Sequence, residues 1–388
     1  MDRNLNILVV GAGLGGLTAA LALQRAGFQV TVCEQARELR ELGAGILVTP
    51  NAMRGLHWLG VGPALVARST RLGTTAWRHH QTGEVLKTRP PSSHYEQKYG
   101  TEFLQVHRND LHSLLCEAVQ ANQPGAIRTD HRFVSLAQDA DGVDVRFANG
   151  ATLRADAVIG ADGCSSRVRS CLQGEEDARY SGQVAYRALV PTELVPPEAI
   201  DTQLGLYIGP MRILLHYDLR QGAVRNVIAL AREPRWQEEG WAIPGSRAEF
   251  LELYHDFHPN VAKIINALPE GSLFKWGLRD REPMRQWTWG RVTMLGDAAH
   301  PISPFLGQGA CMAIEDGVVL ARCCAAAATL DEAFERYENT RKEHANGVQI
   351  YSRMQADAYQ GITREGVNLG RDAEALGLYD YDPVTVPI

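Results

Sequence analysis

Short apolar runs, separated by a glycine turn and a helical stretch, mark the start of the chain. Residues 5–10 are largely apolar, as in a buried strand. Leucines and alanines at helical spacing follow over residues 17–27. Residues 30–34 form a second run rich in β-branched side chains, and Glu34 closes it. The pattern predicts a strand–helix–strand unit at the amino terminus.

Strand-like patterns dominate the middle of the chain. Runs separated by Asp-Gly and Asn-Gly pairs, which are typical of hairpin turns, predict a three-stranded meander over residues 133–153. Residues 157–161 then form an apolar run that predicts a buried strand. From 180 to 285 the runs predict a mostly antiparallel sheet, with helices near 246–254 and 259–267.

The remaining patterns complete the order of elements. Residues 292–295 predict another buried strand, which follows the antiparallel sheet in the chain. Helical spacing begins at Ala310, and residues 330–365 are largely helical in pattern. Residues 72–78 and 85–88 favour exposed strands, and residues 89–100 favour a polar loop.

These elements predict an α/β protein with a discontinuous Rossmann-like domain. An antiparallel sheet domain is inserted before the strand at 292–295, and a helical region ends the chain. The predicted division is 1–178 with 287–330 for the Rossmann-like domain, with 72–100 contributing to the inserted side, 179–286 for the inserted sheet domain, and 331–388 for the carboxyl-terminal helical region and tail.

Composition narrows the classes of function. With 388 residues, 45% hydrophobic content and a net charge of −6, the chain predicts a globular protein without a basic block, so nucleic acid is not an expected partner. Seven cysteines without paired spacing predict neither a disulfide framework nor a metal site. The amino terminus lacks a signal-peptide layout, and no apolar stretch is long enough to cross a bilayer. The expected location is the cytoplasm.

The glycines after the first strand form a G-x-G-x-x-G fingerprint in its expected context. Gly11 permits a tight turn, Gly13 lets the backbone approach a pyrophosphate, and Gly16 allows close helix–strand packing. Glu34 follows Gly16 by 18 residues, where an acid bonds a ribose hydroxyl. The acid favours FAD or NAD over NADP.

The stretch 291–316 combines a strand, a carboxylate, a stiff loop and a helix start. The strand stops at Asp297, prolines hold the next residues extended, and the chain turns at 307–309. A glycine-flanked helix start presents free N–H groups that favour negative charge on a ligand. The set suits a polyhydroxylated chain joined to a ring that becomes anionic on reduction, as in a flavin. An ordinary turn with a helix-capping aspartate fits the same pattern.

Three stretches, GAGLGGL with Glu34, VIGADGCSSRVR and RVTMLGDAAHPISPFLGQGACMAIED, occur in order and far apart. Together they resemble the single-component FAD-dependent aromatic hydroxylases, a group that includes salicylate, 3-hydroxybenzoate and 6-hydroxynicotinate monooxygenases. The resemblance covers nearly the full length, including the Tyr-x-Tyr-Asp tail. It implies an FAD site formed by Gly11, Gly13, Gly15, Gly16, Glu34, Gln35, Leu47, Arg108, Phe133, Asp162, Asp297, Gly307, Gly309 and Ala310.

Within that site the resemblance implies distinct positions. The glycines meet the pyrophosphate, Asp297 holds the ribityl chain or pyrophosphate, and the 307–310 turn lies by the pyrimidine edge. Phe133 borders the adenine through its backbone, and Asp162 serves both the FAD site and the nicotinamide approach. From the residues alone, Arg108 fits either a phosphate or flavin-edge contact or a surface salt bridge.

The substrate pocket follows from strand alternation. Period-2 geometry over residues 211–217 places Ile213, Leu215 and Tyr217 on one face and His216 on the other. The resemblance turns the first face toward the flavin, with Tyr217 as the catalytic candidate that bonds the substrate. A sheet tyrosine with its hydroxyl in solvent is the alternative for Tyr217. Leu47, Pro304 and Phe305 complete the predicted apolar wall.

Several pocket positions depart from members of the group. Ile213 and Leu47 stand where some relatives have histidine, and Pro304 stands where some have glutamine. An aliphatic wall favours a substrate that needs little help to ionise, such as an ortho-hydroxy acid of the salicylate type. His300 is expected to pack the loop rather than act as a base.

The implied function is an FAD-dependent monooxygenase acting on a small, electron-rich aromatic acid of the salicylate, hydroxybenzoate or hydroxynicotinate type. NADH or NADPH docks transiently, since only one dinucleotide fingerprint is present, and O2 reacts through a flavin C4a-hydroperoxide, with or without loss of CO2. Alternatives are the same chemistry on a non-carboxylate aromatic or heterocycle, a flavin-dependent halogenase, and a non-catalytic flavin-binding protein. The protein is expected to be a monomer or a homodimer.

Overall fold

The structure, a computed structural model, describes residues 2–39, 44–174, 178–236, 238, 240, 242–363 and 366–388. Residues 364–365 of the predicted helical stretch 330–365 therefore lie outside the described residues. Over the described ranges, the strands are β1 (Asn6–Val10), β2 (Gln29–Cys33), β3 (Gly45–Val48), β4 (Thr70–Arg71), β5 (Thr75–His79), β6 (Val85–Lys87), β7 (Leu104–His107), β8 (Ile127–Arg128), β9 (Phe133–Gln138), β10 (Val143–Phe147), β11 (Thr152–Ala155), β12 (Ala157–Gly160), β13 (Arg179–Pro191), β14 (Leu204–Gly209), β15 (Arg212–Leu219), β16 (Val224–Arg232), β17 (Ile243–Pro244), β18 (Phe274–Asp280), β19 (Thr288–Trp289), β20 (Val292–Met294), β21 (Ile362–Thr363) and β22 (Gly366–Val367).

The helices alternate with these strands in the first half of the chain and dominate its end. In the same described ranges they are α1 (Leu14–Arg25), α2 (Pro50–Trp58), α3 (Gly62–Arg68), α4 (Ser92–Tyr99), α5 (Arg108–Asn122), α6 (Arg167–Gln173), α7 (Arg247–Leu253), α8 (Pro259–Asn266), α9 (Gly309–Ala326) and α10 (Leu330–Gln360).

The first sheet confirms the Rossmann-like, discontinuous prediction. Among the described residues it has six strands in the order β19-β20-β12-β1-β2-β8, and its pairs from β20 to β8 are parallel. Strand β20 comes after the inserted sheet in the chain, yet it lies beside β12. Parallel strands place their carboxyl ends at one edge, so the glycine turn after β1 and Asp297 after β20 meet there.

The inserted sheet is mostly antiparallel, also as expected. In the described part of the chain it has eight strands in the order β17-β18-β13-β16-β15-β14-β5-β6. Strands β5 and β6 come from the first quarter of the chain and lie at the β14 edge of this sheet. The expectation of an exposed strand over residues 72–78 is wrong for Thr75, Ala76 and Trp77, which are buried, and Trp77 belongs to the main core.

The polar loop expected over residues 89–100 is also wrong, because α4 occupies most of it. Its sequence is polar, but Tyr95 packs against the nearby Phe103 and against Tyr379, which is distant in the chain. Tertiary contacts of aromatic rings therefore stabilise a helix that local propensity does not reveal.

The two faces of the inserted sheet serve different purposes. One face packs against α7 and α8 through a core that includes Tyr207, Leu214, Phe250 and Tyr254. The other face belongs to the main core shared with the Rossmann-like part. Helix α9 packs against α1 and α10, which encloses the parallel sheet. Helix α10 is capped by Thr329, whose hydroxyl accepts a hydrogen bond from the backbone N–H of Glu332. No helix within the described ranges is both long and apolar enough to cross a membrane.

Candidate active site

The glycine turn after β1 combines tight packing with one open position. Gly11 has φ +108°, and a Cβ on Gly16 would lie 2.0 Å from the carbonyl oxygen of Gly11. These glycines are needed for the fold itself. A Cβ on Gly13, in contrast, would meet nothing within 4 Å, and Gly13 lines a cavity. The backbone is therefore bare where a ligand can approach it, as the fingerprint predicts.

Glu34 ties this turn to the next strand. Its carboxylate accepts hydrogen bonds from the backbone N–H groups of Ala12 and Ala36, at 2.8 and 2.9 Å. A carboxylate has further lone pairs that can accept from a ribose hydroxyl. Gln35 is exposed beside it. Neither residue lines the main cavity, so their contact with the adenosine end stays a prediction.

Asp297 lies at the carboxyl end of β20 and faces the cavity. Its side chain is accessible from the cavity, but it makes no hydrogen bond or ion pair with any residue the structure describes. Burial raises the pKa of Asp297 above its ordinary value, although the positive charges of His300 and Arg108 oppose that shift. A carboxylate that is accessible from the cavity and has no donor among the described residues is suited to the hydroxyl groups of a ligand.

The start of α9 lines the same cavity as Gly13 and Asp297 and forms the third part of its wall. Gly307 has φ +66°, which allows the sharp turn before the helix. Gln308 fixes the turn, since its amide donates to Thr49 Oγ1 at 3.1 Å and accepts from Asn51 at 3.1 Å. Gly309 and Ala310 line the cavity at the first turn of this 18-residue helix. Their N–H groups and the helix dipole favour negative charge there.

A buried ionic cluster holds the loop of Asp297 against α9. Asp316 accepts from the backbone N–H of Gly296 at 2.9 Å and from Nε2 of His300 at 2.6 Å. Arg341 donates to Asp316 through Nε at 2.8 Å and pairs with Glu315 at 2.6 Å. His300 also stacks on Trp287, with ring centroids 5.1 Å apart. His300 thus packs the loop, as its position in the sequence indicated.

Other predicted cofactor residues occupy mixed positions. Arg108 and Gly15 line the cavity. The carboxylate of Asp162 accepts from Ser166 Oγ at 2.5 Å and from two backbone N–H groups at the start of α6, so it caps that helix. Phe133 is buried at the start of β9 and is not part of the cavity wall. The cofactor roles of Asp162 and Phe133 stay predictions.

These residues fit FAD as a group. Gly13 leaves room for a pyrophosphate, Asp297 offers ribityl hydroxyls an acceptor that no described residue occupies, and α9 presents its positive end at the turn 307–310. The donors and acceptors differ in kind along one wall, as the phosphate, sugar and ring of a flavin nucleotide require.

The cavity continues from this wall to the inserted sheet and has a volume of about 370 Å³. Ile213, Leu215 and Tyr217 line it from one face of β15, and His216 lies on the other face, where Nδ1 accepts from Arg225 at 2.6 Å. Burial and the charge of Arg225 lower the pKa of His216 well below its ordinary value. The structure thus brings together the predicted pocket residues, with Leu47, Pro304 and Phe305 on the facing wall.

Tyr217 is 1% exposed, so its hydroxyl is not a solvent-facing group. No described residue makes a hydrogen bond or an ion pair with that hydroxyl, and Tyr217 lines the cavity. Burial raises the pKa of Tyr217 above its ordinary value, and the nearby charge of Arg187 only partly opposes this. The phenol is therefore protonated at neutral pH, which makes it a hydrogen-bond donor and not a base.

Several residues of the cavity wall were not predicted from the sequence. Arg187 and Ala185 project from β13, Trp276 from β18, and Gly45 lies so close to Tyr217 that a Cβ there would be 2.6 Å from the hydroxyl. A signal for Arg187 was available, because it is the charged residue in the apolar run at 184–190. Trp276 and Gly45 carry no such signal, since their neighbours are distant in the chain.

Known proteins are similar to this chain over most of its length. A family model described as an FAD binding domain matches residues 4–350. The 6-hydroxynicotinate 3-monooxygenase of Pseudomonas fluorescens is 35% identical over 393 residues, covering 100% of this chain and 98% of that protein. The 3-hydroxybenzoate 6-hydroxylase of Polaromonas naphthalenivorans (strain CJ2) is 36% identical over 367 residues, covering 93% and 90%.

Solved structures give the same result for the fold. HpxO of Klebsiella pneumoniae, crystallised with FAD and uric acid, has a TM-score of 0.86 and 26% identity, covering 97% of this chain and 96% of that chain. A salicylate hydroxylase substrate complex has a TM-score of 0.83 at 23% identity, covering 99% and 97%. The family model, the full-length relatives and the fit of the cavity wall to FAD all indicate the same family. The chain belongs to the single-component FAD-dependent aromatic hydroxylases.

Proposed function

We propose that this protein uses NAD(P)H and O2 to hydroxylate a small, electron-rich aromatic acid. One observation carries the proposal: the wall that fits FAD and the apolar face of the inserted sheet enclose a single continuous cavity. A ring held against Ile213, Leu215 and Phe305 would therefore lie in the same cavity as the flavin ring of an FAD bound along Asp297. Relatives at 35% and 36% identity are hydroxylases of 6-hydroxynicotinate and 3-hydroxybenzoate, which supports a substrate of that class.

FAD, when bound, supplies the redox and oxygen chemistry, and the chain supplies position and exclusion of water. Asp297 and the first turn of α9 hold the cofactor, while the aliphatic side chains of β15 and β16 keep the reacting face dry. Tyr217 orients the ring because its hydroxyl donates a hydrogen bond to a substrate oxygen. Position 213 is isoleucine, which cannot accept a proton from the substrate. The substrate must therefore carry a hydroxyl that ionises readily.

NADH or NADPH is the expected reductant, bound transiently, and the protein is expected to be a monomer or a homodimer. The test is oxidation of NADH and NADPH in the presence of a panel of aromatic acids, with products identified by mass spectrometry. Stoichiometric ring hydroxylation of at least one acid supports the proposal. Reductant oxidation that no aromatic stimulates contradicts it.

A heterocycle without a carboxylate is the second candidate substrate. HpxO, at 26% identity, was crystallised with uric acid, so related cavities accept such a ring. Including neutral heterocycles and phenols in the same panel separates the two candidates, because only one group should yield coupled product.

A further inference from the structure

A cationic side chain lies in the middle of the apolar sheet face that lines the cavity. Arg187 belongs to β13, and its cross-strand neighbour is Ile228 of β16, which in turn pairs with Leu215 of β15. Each of these residues lines the cavity. Central strands with apolar neighbours rarely carry an arginine unless its charge is compensated.

The described residues supply no carboxylate partner for Arg187 and compensate its charge only through an aromatic ring. It makes no hydrogen bond and no ion pair with any of them, and its guanidinium lies over the ring of Trp276, 5.5 Å from the centroid. Burial lowers the pKa of Arg187, Tyr217 acts to raise it, and the charge of Arg108 lowers it further. No carboxylate among the described residues opposes this shift. The cation therefore lies in a cavity wall with another cation, and neither Asp297 nor Asp372, the carboxylates that line the same cavity in the described ranges, pairs with it.

A counter-ion from a ligand would resolve this arrangement. The guanidinium presents a planar fork of N–H donors that matches a carboxylate, and arginine stays charged even when its pKa is lowered. An unpaired cation is unfavourable in a partly buried site, whereas a bound carboxylate would satisfy both its charge and its donors. The chamber is thus suited to an anionic ligand rather than a neutral one.

We propose that Arg187 binds the carboxylate of the aromatic acid and so selects acids over their neutral analogues, while Tyr217 bonds the ring hydroxyl. This inference rests on the proposed function. Strand β16 separates the strands of Arg187 and Tyr217, so their backbones lie roughly 10 Å apart. Both side chains point into one cavity, and the space between them is lined by Ile228 and Leu215, which can contact the faces of a ring.

The test measures binding to the FAD-loaded protein by perturbation of the flavin absorbance. The probes are salicylate, 3-hydroxybenzoate and 6-hydroxynicotinate, each compared with its primary amide. Arg187→Met should weaken binding of the preferred acid by roughly 10- to 100-fold, as loss of a charge-assisted hydrogen bond implies. Binding of the matching amide should change by less than about threefold, and Arg187→Lys should lie in between. Arg179→Met, on the same strand but 59% exposed, is the matched control and should bind both as the unsubstituted protein does.

Three results would overturn the inference. The first is an Arg187→Met variant that still prefers the acid as strongly as the unsubstituted protein. The second is an equal loss of acid and amide binding, which would mean that Arg187 only shapes the pocket. The third is loss of FAD from Arg187→Met, which would place the residue at the cofactor instead.

Product analysis with the same probes keeps this inference separate from the proposed function. Arg187-dependent acid binding without any hydroxylated product would support the anion site and contradict the function. Coupled hydroxylation that does not depend on Arg187 would do the reverse.

Discussion

Asp316 and His300 form a fully buried hydrogen-bonded pair, with Oδ2 and Nε2 2.6 Å apart. Because a carboxylate only accepts, Nε2 carries the proton. Burial acts to raise the pKa of Asp316, but the charges of His300 and Arg341 outweigh it and hold that pKa well below the ordinary value. The pair joins the loop of Asp297 to helix α9, so it positions two parts of the cavity wall at once.

Removal of this carboxylate should destabilise the protein. Asp316→Asn leaves Arg341 with one fewer counter-ion in a dry interior, and breaking a buried ion pair in this way costs about 3–5 kcal/mol. Urea unfolding of the FAD-free protein measures this loss as a lower midpoint. The matched control is Glu198→Gln, which breaks the exposed pair with Lys263 and should leave the free energy of unfolding almost unchanged. Equal effects of the two substitutions would show that the cluster contributes little.

The two glycines of the fingerprint should respond to alanine in opposite ways. Gly13 has φ −72° and ψ 178°, which alanine adopts freely, and a Cβ there would meet nothing within 4 Å. Gly13→Ala should therefore leave the stability of the FAD-free protein unchanged, yet weaken FAD binding by at least roughly tenfold, because the methyl group occupies the predicted pyrophosphate position.

Gly16→Ala provides the contrast, since its Cβ would lie 2.0 Å from the carbonyl oxygen of Gly11. Such a clash should destabilise the FAD-free protein by roughly 1–3 kcal/mol. Thermal unfolding without FAD, followed by fluorescence titration with FAD, separates the two effects. Normal FAD affinity in Gly13→Ala would place the pyrophosphate elsewhere.

Asp297→Ala tests the acceptor at the end of β20. It should weaken FAD binding by about 1.5–3 kcal/mol, or roughly 10- to 100-fold, since it removes a charged acceptor from ligand hydroxyls. Asp297→Asn keeps an oxygen acceptor without the charge and should have a smaller effect. The measurement is the FAD content of purified protein and the dissociation constant after reconstitution. Identical FAD occupancy in Asp297→Ala and the unsubstituted protein would contradict this assignment.

Acid pH should loosen the tail of the chain through Asp372. Its carboxylate pairs with Lys87 at 2.7 Å and Arg89 at 3.4 Å. Burial opposes ionisation, but Arg89 and Lys87 prevail and lower the pKa of Asp372 to about 2 in the folded protein. In the unfolded chain the pKa is about 3.9. The depressed pKa stabilises the fold above about pH 4, by about 2–3 kcal/mol, and this contribution is lost as the pH falls toward 2.

Asp372→Asn removes that pH-dependent term. The variant should be less stable than the unsubstituted protein at pH 7, and the difference should shrink at pH 3. Urea unfolding at both values measures it. A difference that stays constant from pH 7 to pH 3 would mean that the Asp372 carboxylate is not selectively stabilised in the fold.

The local parts of the fold and site could be predicted from sequence, but the long-range parts could not. The strand–glycine–helix unit at Gly13 and the strand that ends at Asp297 are each encoded within some 20 neighbouring residues. Alternation likewise placed Tyr217 and His216 on opposite faces. The run at 184–190 marks Arg187 as unusual, but its lack of a carboxylate partner among the described residues depends on β16 and β18 and could not be predicted. The helix α4 was missed because Tyr379 stabilises it from the far end of the chain.

Tyr217→Phe addresses the pocket directly. The hydroxyl is enclosed, protonated at neutral pH and without a protein hydrogen-bond partner among the described residues, so a substrate oxygen is the partner we expect. Loss of one such hydrogen bond is worth about 0.5–1.5 kcal/mol, which predicts a Michaelis constant a few-fold to tenfold higher. A less firmly held ring should also lower the fraction of NADH oxidation that yields hydroxylated product, while FAD content stays unchanged.

The matched control is Tyr207→Phe, which removes a buried hydroxyl from the opposite face of the same sheet. It should leave coupling unchanged, because that face packs on α7 and α8 and does not meet the cavity. Measuring NADH oxidation and product in parallel for both variants distinguishes a contact with substrate from a general loss of sheet stability. If Tyr217→Phe hydroxylates with full coupling and an unchanged Michaelis constant, Tyr217 does not hold the substrate, and the ring must be oriented by the aliphatic wall and Arg187 alone.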